Sequence, residues 1–512
     1  METKKINKLT IALVAVTVLL LALVAGMIWF FTSHFFVGGN AYPKKAEFLN
    51  LRDQDITISE YDHIRKAAPS CEIAWKVPFQ NTTYNQDITE LTLTTLTEKD
   101  LPVFAYFTSL KTVDASGCQD YAALLQLKET YPQLQIFFAI GDEKVSVDDS
   151  EVTVTSLSME QAVLLENLPM LKKVNAEACP DYAALVTLQQ AKPELEINSA
   201  VTVEGATVTI ADPDVAVLAA QMGDMSSVNA VELVFSGAEQ GTEHLSVLVD
   251  ANPNVKFHWE KEVFGTVYDS AAEEIDLSAV EAESVDAVKQ AMTYFPNAAK
   301  VIVNSGTIDN DAMAAFRDEM RPDYKVVWTV QCGEIAVRTD ETHFMPLKHR
   351  VYYFFDEDIV NLKYCEDMIC IDVGHMSMSH ADWVANMPHL KYLILGMCGN
   401  LKDISALANC KELVFLELYN TSIKDYTPLL GCTALEDLNL GFTYADIEPI
   451  TQMTWLKNLW FMGRMSQKYN LVNALPDTHV LIIDEDSATR GGWRQLPNYY
   501  AMRDALGMHY MK

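Results

Sequence analysis

Strand-like and helix-like patterns of hydrophobic residues alternate along most of the chain. Residues 91–96 (LTLTTL) and 152–157 (VTVTSL) alternate apolar and polar positions, as a strand with one buried side does. Residues 120–131 (DYAALLQLKETY) form a helix-like run, and Asp120 stands where it can cap the helix N-terminus. These patterns predict a mixed α/β protein.

One strand-and-helix unit occurs twice with little change. Residues 110–136 (LKTVDASGCQDYAALLQLKETYPQLQI) recur 61 residues later as residues 171–197 (LKKVNAEACPDYAALVTLQQAKPELEI), with 14 of 27 aligned positions identical. Repetition of such a unit is typical of a solenoid, in which neighbouring repeats bury a continuous core. A solenoid presents a long surface for binding and needs no catalytic pocket.

A proline that ends a helix and leads into an apolar strand marks a period of 60 to 69 residues. Proline cannot continue a helix, and the β-branched and aromatic residues that follow it favour a strand. The five copies of this marker are at Pro69, Pro132, Pro193, Pro253 and Pro322.

Four of these copies continue with a glycine and a second alternating run, which predicts a β-hairpin at the end of each unit. The first copy lacks the glycine. The four glycines are Gly141, Gly205, Gly265 and Gly333.

A second, shorter series begins at Leu390, Leu413, Leu435 and Leu456, with starts 23, 22 and 21 residues apart. Its copies read LKYLILGMC, LVFLELYNT, LEDLNLGFT and LKNLWFMGR, and MICIDVGHM from Met368 is an earlier member. This series resembles the leucine-rich repeat family, whose pattern is L-x-x-L-x-L-x-x-N/C-x-L. The linking segments KDISAL, KDYTPLL and ADIEPI look like the internalin-type repeats of bacterial surface proteins.

The resemblance implies an α/β leucine-rich-repeat-type solenoid. The glycine pattern adds hairpin-bearing long repeats, and the apolar N-terminal run described below adds one preceding transmembrane helix. In such repeats the residues at positions 1, 4 and 6 point into the core, and position 9 is usually Asn or Cys. Cys118, Cys179 and Cys398 fall at position 9, so they are expected to be structural. The long series departs from the family more than the short one does, and a separate α/β repeat remains an alternative for it.

Positions 2, 3, 5 and 8 of the repeats are expected to face the concave side, because side chains alternate along a strand. Aromatic and amide side chains in adjacent repeats suit a binding face. The alternative is that a neighbouring segment of the same chain covers Phe415 and Trp460. The predicted ligand-binding residues are Tyr392, Ile394, Phe415, Glu417, Asn420, Asp437, Asn439, Phe442, Asn458 and Trp460.

The N-terminal region carries a run of 21 uncharged residues, 11–31. At about 1.5 Å per residue this run is as long as a bilayer core is thick. Lys4, Lys5 and Lys8 precede it, which predicts a cytoplasmic N-terminus and an extracellular remainder. A cleavable signal peptide, with Gly39-Asn40-Ala41 as its site, is the alternative.

The net charge of −32 makes a nucleic-acid partner unexpected, because a surface of this sign is repelled by phosphates. The nine cysteines are an odd number and scattered, so no disulfide framework is predicted, although Cys410 and Cys432 stand at equivalent repeat positions.

Cys365, Cys370, His375 and His380 could supply a tetrahedral zinc site for an enzyme or sensor, but their spacing is unlike the usual zinc motifs. Ordinary strand and loop positions are the preferred interpretation. The chain has no G-x-S-x-G, P-loop, H-E-x-x-H or dinucleotide motif, so we expect no catalytic residue and no cofactor.

The C-terminus changes character after Leu475, and a repeat array needs a cap to cover its exposed core edge. The predicted cap residues are Trp493, Leu496, Tyr499, Tyr500, Met502 and Leu506. The predicted organisation is a cytoplasmic tail (1–8), a transmembrane helix (9–31), a linker (32–50), long repeats (51–345), leucine-rich repeats (346–465) and a cap (466–512).

These observations predict a non-catalytic, single-pass cell-surface protein that binds a protein or a glycan. The alternatives are a cell-envelope enzyme or metal-dependent sensor that uses the residues from Cys365 to His380, and a purely structural spacer. An exposed aromatic stripe on the concave face would favour binding, and a buried one would favour the spacer.

Overall fold

The computed structural model describes residues 8–141, 143–482 and 492–508. The chain divides into two compact units between Phe257 and His258. This division falls inside the region predicted to hold the long repeats, residues 51–345.

The N-terminal helix runs from Lys8 to Ser33, and none of its residues is buried. Its 26 residues are long and apolar enough to cross a membrane. At its C-terminal end the Ser33 hydroxyl donates to the Trp29 carbonyl at 2.6 Å. Of the predicted tail, residues 1–7 lie outside the described residues.

The first unit alternates short parallel strands with helices, as the apolar pattern predicted. Its helices after the first are Ile58–Ala67, Tyr121–Thr130, Met159–Glu166, Tyr182–Ala191, Val215–Gln221 and Leu245–Ala251. Its strands are His34–Val37, Asn40–Pro43, Phe48–Asn50, Glu72–Ala74, Lys76–Phe79, Thr82–Asn85, Glu90–Thr92, Thr112–Asp114, Gln135–Ile140, Glu143–Ser146, Glu151–Thr153, Lys173–Asn175, Glu196–Asn198, Val201–Glu204, Thr207–Ala211 and Ala230–Val234.

The two copies of the repeated unit fold in the same way. In each copy a three-residue strand precedes a ten-residue helix, Tyr121–Thr130 or Tyr182–Ala191, and a second parallel strand follows it. The Asp120 carboxylate accepts from the Ala123 amide at 3.0 Å, so the predicted N-cap is confirmed. Cys118 and Cys179 are both buried, which agrees with the structural role expected for them.

The predicted hairpins are present in both units. Each of the four marker glycines lies between two antiparallel strands with a φ between +55° and +77°, a backbone region that costs glycine little. In the first copy Gln80 takes this conformation, with a φ of 53°, between strands Lys76–Phe79 and Thr82–Asn85. A hairpin therefore forms there without the glycine.

The second unit begins within strand Lys256–Val263 and continues with a hairpin and a four-stranded sheet. Its further strands before the leucine-rich repeats are Thr266–Asp269, Glu274–Glu281, Lys300–Asn304, Lys325–Cys332 and Ile335–Arg338. Its helices are Val285–Met292, Asn310–Met320, Asp356–Ile359, Met465–Ala474 and Pro497–Ala505.

The short repeats form a seven-stranded sheet in which sequential strands lie side by side and pair in parallel. A 3₁₀ turn separates each strand from the next over the middle repeats, at Asp382–Val384, Ser405–Asn409, Thr427–Gly431 and Glu448–Gln452. The strands are His343–Phe344, Cys370–Asp372, Tyr392–Ile394, Phe415–Glu417, Asp437–Leu440, Asn458–Phe461 and His479–Ile482.

The core of these repeats is a ladder of apolar residues at position 4. Leu416 pairs with Leu393 on one side and with Leu438 on the other, and all three are fully buried. Cys398 lies in the same core, with its thiol 3.3 Å from the Val373 carbonyl oxygen. The core positions expected from leucine-rich repeats are confirmed.

We expect Leu416→Ala to lower the free energy of unfolding by about 2–5 kcal/mol, because it leaves a cavity inside the central ladder. Urea denaturation of the purified chain measures this. Val472→Ala, on the exposed side of helix Met465–Ala474, is the matched control and should change stability by about 0.5 kcal/mol or less. Equal losses from both variants would contradict the assigned core.

Candidate functional site

The strands of the seven-stranded sheet have a second side, opposite the leucine ladder, which we call the strand face. It consists of two columns of side chains that pair from strand to strand. The first column contains Cys370, Tyr392, Phe415, Asp437 and Asn458, and the second contains Asp372, Ile394, Glu417, Asn439 and Trp460. Eight of the ten predicted binding residues lie in these columns.

The other two predicted residues, Asn420 and Phe442, lie in the loops that follow the strands. His375 and Met397 occupy the equivalent place in the two preceding repeats, and all four have a φ between 53° and 69°. We call these four exposed residues the loop ridge. The Asn420 side-chain amide lies 3.2 Å from the Met397 sulfur, so neighbouring members are in contact.

The C-terminal segment, residues 492–508, covers the strand face. The Trp493 ring lies 4.9 Å from the Phe415 ring and 5.6 Å from the Trp460 ring, measured between centroids. Met502 and Leu506 belong to the same apolar cluster. This cluster is separate from the main core, which is the one that contains the leucine ladder.

The aromatic stripe is therefore not exposed, contrary to the expectation for an open binding face. Phe415 and Trp460 are at most 1% exposed, and Ile394 is also buried. The physical reason is that alternation along these strands places apolar side chains on both sides of the sheet, and the second side also gains free energy from being covered. Intramolecular cover, the alternative weighed from the sequence, is what the structure shows.

Polar contacts join the C-terminal segment to carboxylates on the strand face and to Glu436 beside it. The Trp493 indole N–H donates to Glu417. The Asn498 side-chain amide donates to Asp437 at 2.9 Å and to Glu436 at 3.3 Å. The segment therefore donates hydrogen bonds to Glu417 and Asp437, which are both buried.

Burial raises the pKa of Glu417 to about 7; the nearby Asp372 carboxylate adds to this, while Trp493 and Arg494 oppose it. Burial likewise raises the pKa of Asp372. It also raises the pKa of Asp437, although Asn458 and Asn498 donate hydrogen bonds to that carboxylate. Covering the strand face thus has an electrostatic cost that grows when these groups are ionised.

The Trp460 indole N–H has no hydrogen-bond partner within the described part of the chain. Trp460 itself is 1% exposed. A buried donor without a partner lowers stability by about 1–3 kcal/mol. The C-terminal segment therefore leaves one polar group of the strand face unsatisfied.

The structure separates the four residues considered for a metal. The Cys365 thiol lies 3.9 Å from the Arg338 carbonyl oxygen in the main core, whereas Cys370 lies on the strand face near the Met502 carbonyl. His375 belongs to the loop ridge, and His380 contacts Asp382. Residues 8–141, 143–482 and 492–508 contain no cluster of three His, Cys, Asp or Glu side chains suited to a metal ion. Burial raises the pKa of both thiols, which leaves them protonated at neutral pH.

The predicted cap residues pack against a different surface from the one expected. Trp493, Met502 and Leu506 are buried on the strand face, whereas Leu471 and Leu475 join the main core at the end of the repeats. Residues 483–491 and 509–512 of the predicted cap lie outside the described residues.

Cys370 and Asp372 were absent from the predicted face. The repeat that begins at Met368, threaded like the others, places them at positions 3 and 5 and His375 at position 8. The sequence therefore contained the signal for them. The contact between Trp493 and Glu417 joins residues 76 apart and has no counterpart in the repeat pattern.

The contact between the C-terminal segment and the strand face should weaken as the pH rises from about 4.5 to about 7. Covered Glu417 has a pKa of about 7, against 4.5 for an ordinary glutamate, so the covered state binds the proton more tightly. The stability that this tighter proton binding adds to the covered state is fully present below pH 4.5 and is lost as the pH rises to about 7. Asp372 and Asp437 act in the same direction.

Hydrogen exchange of the amides in Pro497–Ala505, corrected for intrinsic rates, measures this effect, and protection should be greater at pH 5 than at pH 7.5. Glu417→Gln should reduce the pH dependence without abolishing it. Protection that is independent of pH in the unmodified protein would contradict the assigned burial of these carboxylates.

Comparison with known proteins gives matches among solved structures alone: no protein-family model matches the chain, and no curated protein matches it. The chain is similar to internalin C2 from Listeria monocytogenes, with 15% identity over 45% of this chain and 83% of that one, at a TM-score of 0.22. A second internalin from that organism matches with 13% identity over 77% of this chain and 86% of that one, at a TM-score of 0.19. A leucine-rich repeat protein from Leptospira interrogans matches with 13% identity, covering 76% and 93%, at a TM-score of 0.22.

These identities and TM-scores are low, and the likeness carries no argument about this chain. The repeat spacing, the parallel sheet and the leucine ladder of the chain itself assign the fold independently. Residues 343–482 form parallel repeats with the leucine spacing of leucine-rich repeats.

Proposed function

We propose that this chain is a non-catalytic binding protein of the cell surface and that it binds a protein partner through the loop ridge. Helix Lys8–Ser33 anchors it in the membrane. The leucine-rich-repeat fold is consistent with a protein-interaction scaffold. The helix supports a single-pass anchor, and Lys4, Lys5 and Lys8 before its apolar run support a cytoplasmic N-terminus and an extracellular remainder.

The observation that carries the proposal is the conformation of the loop ridge. His375, Met397 and Phe442 adopt left-handed backbone, which costs a side-chain-bearing residue about 1 kcal/mol or more. Glycine would avoid this cost. The presence of larger, exposed side chains at equivalent points of successive repeats supports a role in contact with another molecule.

The chemistry of the loop ridge fits a protein partner. Met397 is flexible and polarisable, Phe442 is 51% exposed, and Asn420 offers an amide between them. Burial of the strand face is what a structural spacer would also show. An exposed and strained loop ridge has no function in a spacer, so it favours binding.

The proposal is tested with the soluble ectodomain, residues 42–512, immobilised and exposed to cell-envelope and host protein extracts. The unmodified ectodomain should recover a partner, and the double variant Met397→Gly, Phe442→Gly should lose at least 90% of it. Glycine removes the side chains but fits the left-handed backbone, so the melting temperature should stay within about 3 °C.

Tyr469→Ala is the matched control, because Tyr469 is an exposed aromatic residue on helix Met465–Ala474 and is not a member of the loop ridge. It should recover the partner as well as the unmodified ectodomain does. Equal recovery by the double glycine variant, or loss of its fold, would contradict the proposed role of the loop ridge.

A further inference from the structure

We infer that the strand face is itself a binding groove for an aromatic, helical segment of a protein partner, and that the C-terminal segment is a resident occupant which such a partner displaces. This surface is distinct from the loop ridge, so its role as a groove does not depend on the proposed function and is tested independently.

The occupant shows which chemistry the strand face accepts. Helix Pro497–Ala505 and the Trp493 that precedes it place aromatic and aliphatic side chains against the apolar cluster. Donors from the same segment, the Trp493 indole and the Asn498 amide, reach Glu417 and Asp437. A partner segment with an indole and amides at matching positions would make the same contacts.

The repeats do not need this segment to close their own core. The apolar cluster under the segment is separate from the main core, which continues from the leucine ladder into Leu471 and Leu475. Helix Met465–Ala474 already supplies the last apolar side chains to that core. Departure of residues 492–508 would uncover the strand face and leave the main core intact.

The fit of the resident segment is also incomplete. The buried Trp460 indole N–H lacks an acceptor in the described part of the chain, and Glu417 is held almost entirely out of water. A partner that offers an acceptor to Trp460 gains a hydrogen bond that the resident segment does not make. This difference gives a competing segment an advantage over the occupant.

The experiment uses the full-length chain in detergent micelles and a fluorescein-labelled peptide with the sequence of residues 492–508. Fluorescence anisotropy measures the binding of the peptide at pH 7. Trp493→Ala removes the main aromatic contact of the resident segment, so this variant should bind the peptide at least tenfold more tightly than the unmodified chain.

A second variant weakens the resident segment without making a cavity. Asn498→Asp places a carboxylate against Asp437 and Glu436, and like charges repel. It should also bind the peptide more tightly than the unmodified chain. Adding Phe415→Ala to either variant should abolish the gain, because Phe415 contacts both Trp493 and Tyr499.

Phe442→Gly is the matched control, since it alters the loop ridge and leaves the strand face unchanged. It should bind the peptide as the unmodified chain does, whether or not the loop ridge proves functional. The inference is overturned if both segment variants bind the peptide no better than the unmodified chain. It is equally overturned if both lose cooperative unfolding, because the segment is then an integral part of the fold.

Discussion

The structure of the second unit depends on one constraint, which is that its parallel sheet carries large apolar side chains on both sides. Position 4 of each repeat supplies the leucine ladder, and the residues on either side of it supply a second set of large side chains. Burying apolar surface contributes about 25 cal/mol per Å², so both sides gain from cover. The 3₁₀ turns and loops of the repeats cover one side, and the C-terminal segment covers the other.

This constraint explains which features could be predicted from the sequence. Repeat spacing, hairpin glycines and helix caps are local, so each follows from residues close together in the chain. Position 9 identified Cys118, Cys179 and Cys398 as buried for the same reason. Glycine is not required for these hairpins, because Gln80 adopts the same left-handed conformation in the hairpin of the first copy.

The cover of the strand face could not be predicted in this way. The alternation of side chains along a strand correctly placed Phe415 and Trp460 on the side away from the leucine ladder. It does not predict which segment of the chain covers them. That depends on a contact between Glu417 and Trp493, whose positions in the chain are unrelated by any repeat. The same reasoning predicted the cap residues and assigned them to the end of the core, because a repeat array is usually thought to need cover there.

Two parts of the second unit, the loop ridge and the strand face, contain features that lower the stability of the fold. The loop ridge keeps side chains on left-handed backbone while staying exposed. The strand face buries Glu417 and leaves the Trp460 N–H without a partner in the described residues. Such local inconsistencies are expected at functional or strained sites. The two costs lie on different surfaces of the same repeats, so the protein has two candidate places for a partner.

The most direct test of this account is a double-mutant cycle between Phe415 and Trp493, which measures whether the C-terminal segment lies on the strand face. The free energy of unfolding is compared among the unmodified chain, Phe415→Ala, Trp493→Ala and the double variant. Contact between the rings predicts a coupling energy of about 0.5–1.5 kcal/mol. Losses that add to within about 0.3 kcal/mol would contradict the contact and the cover that depends on it.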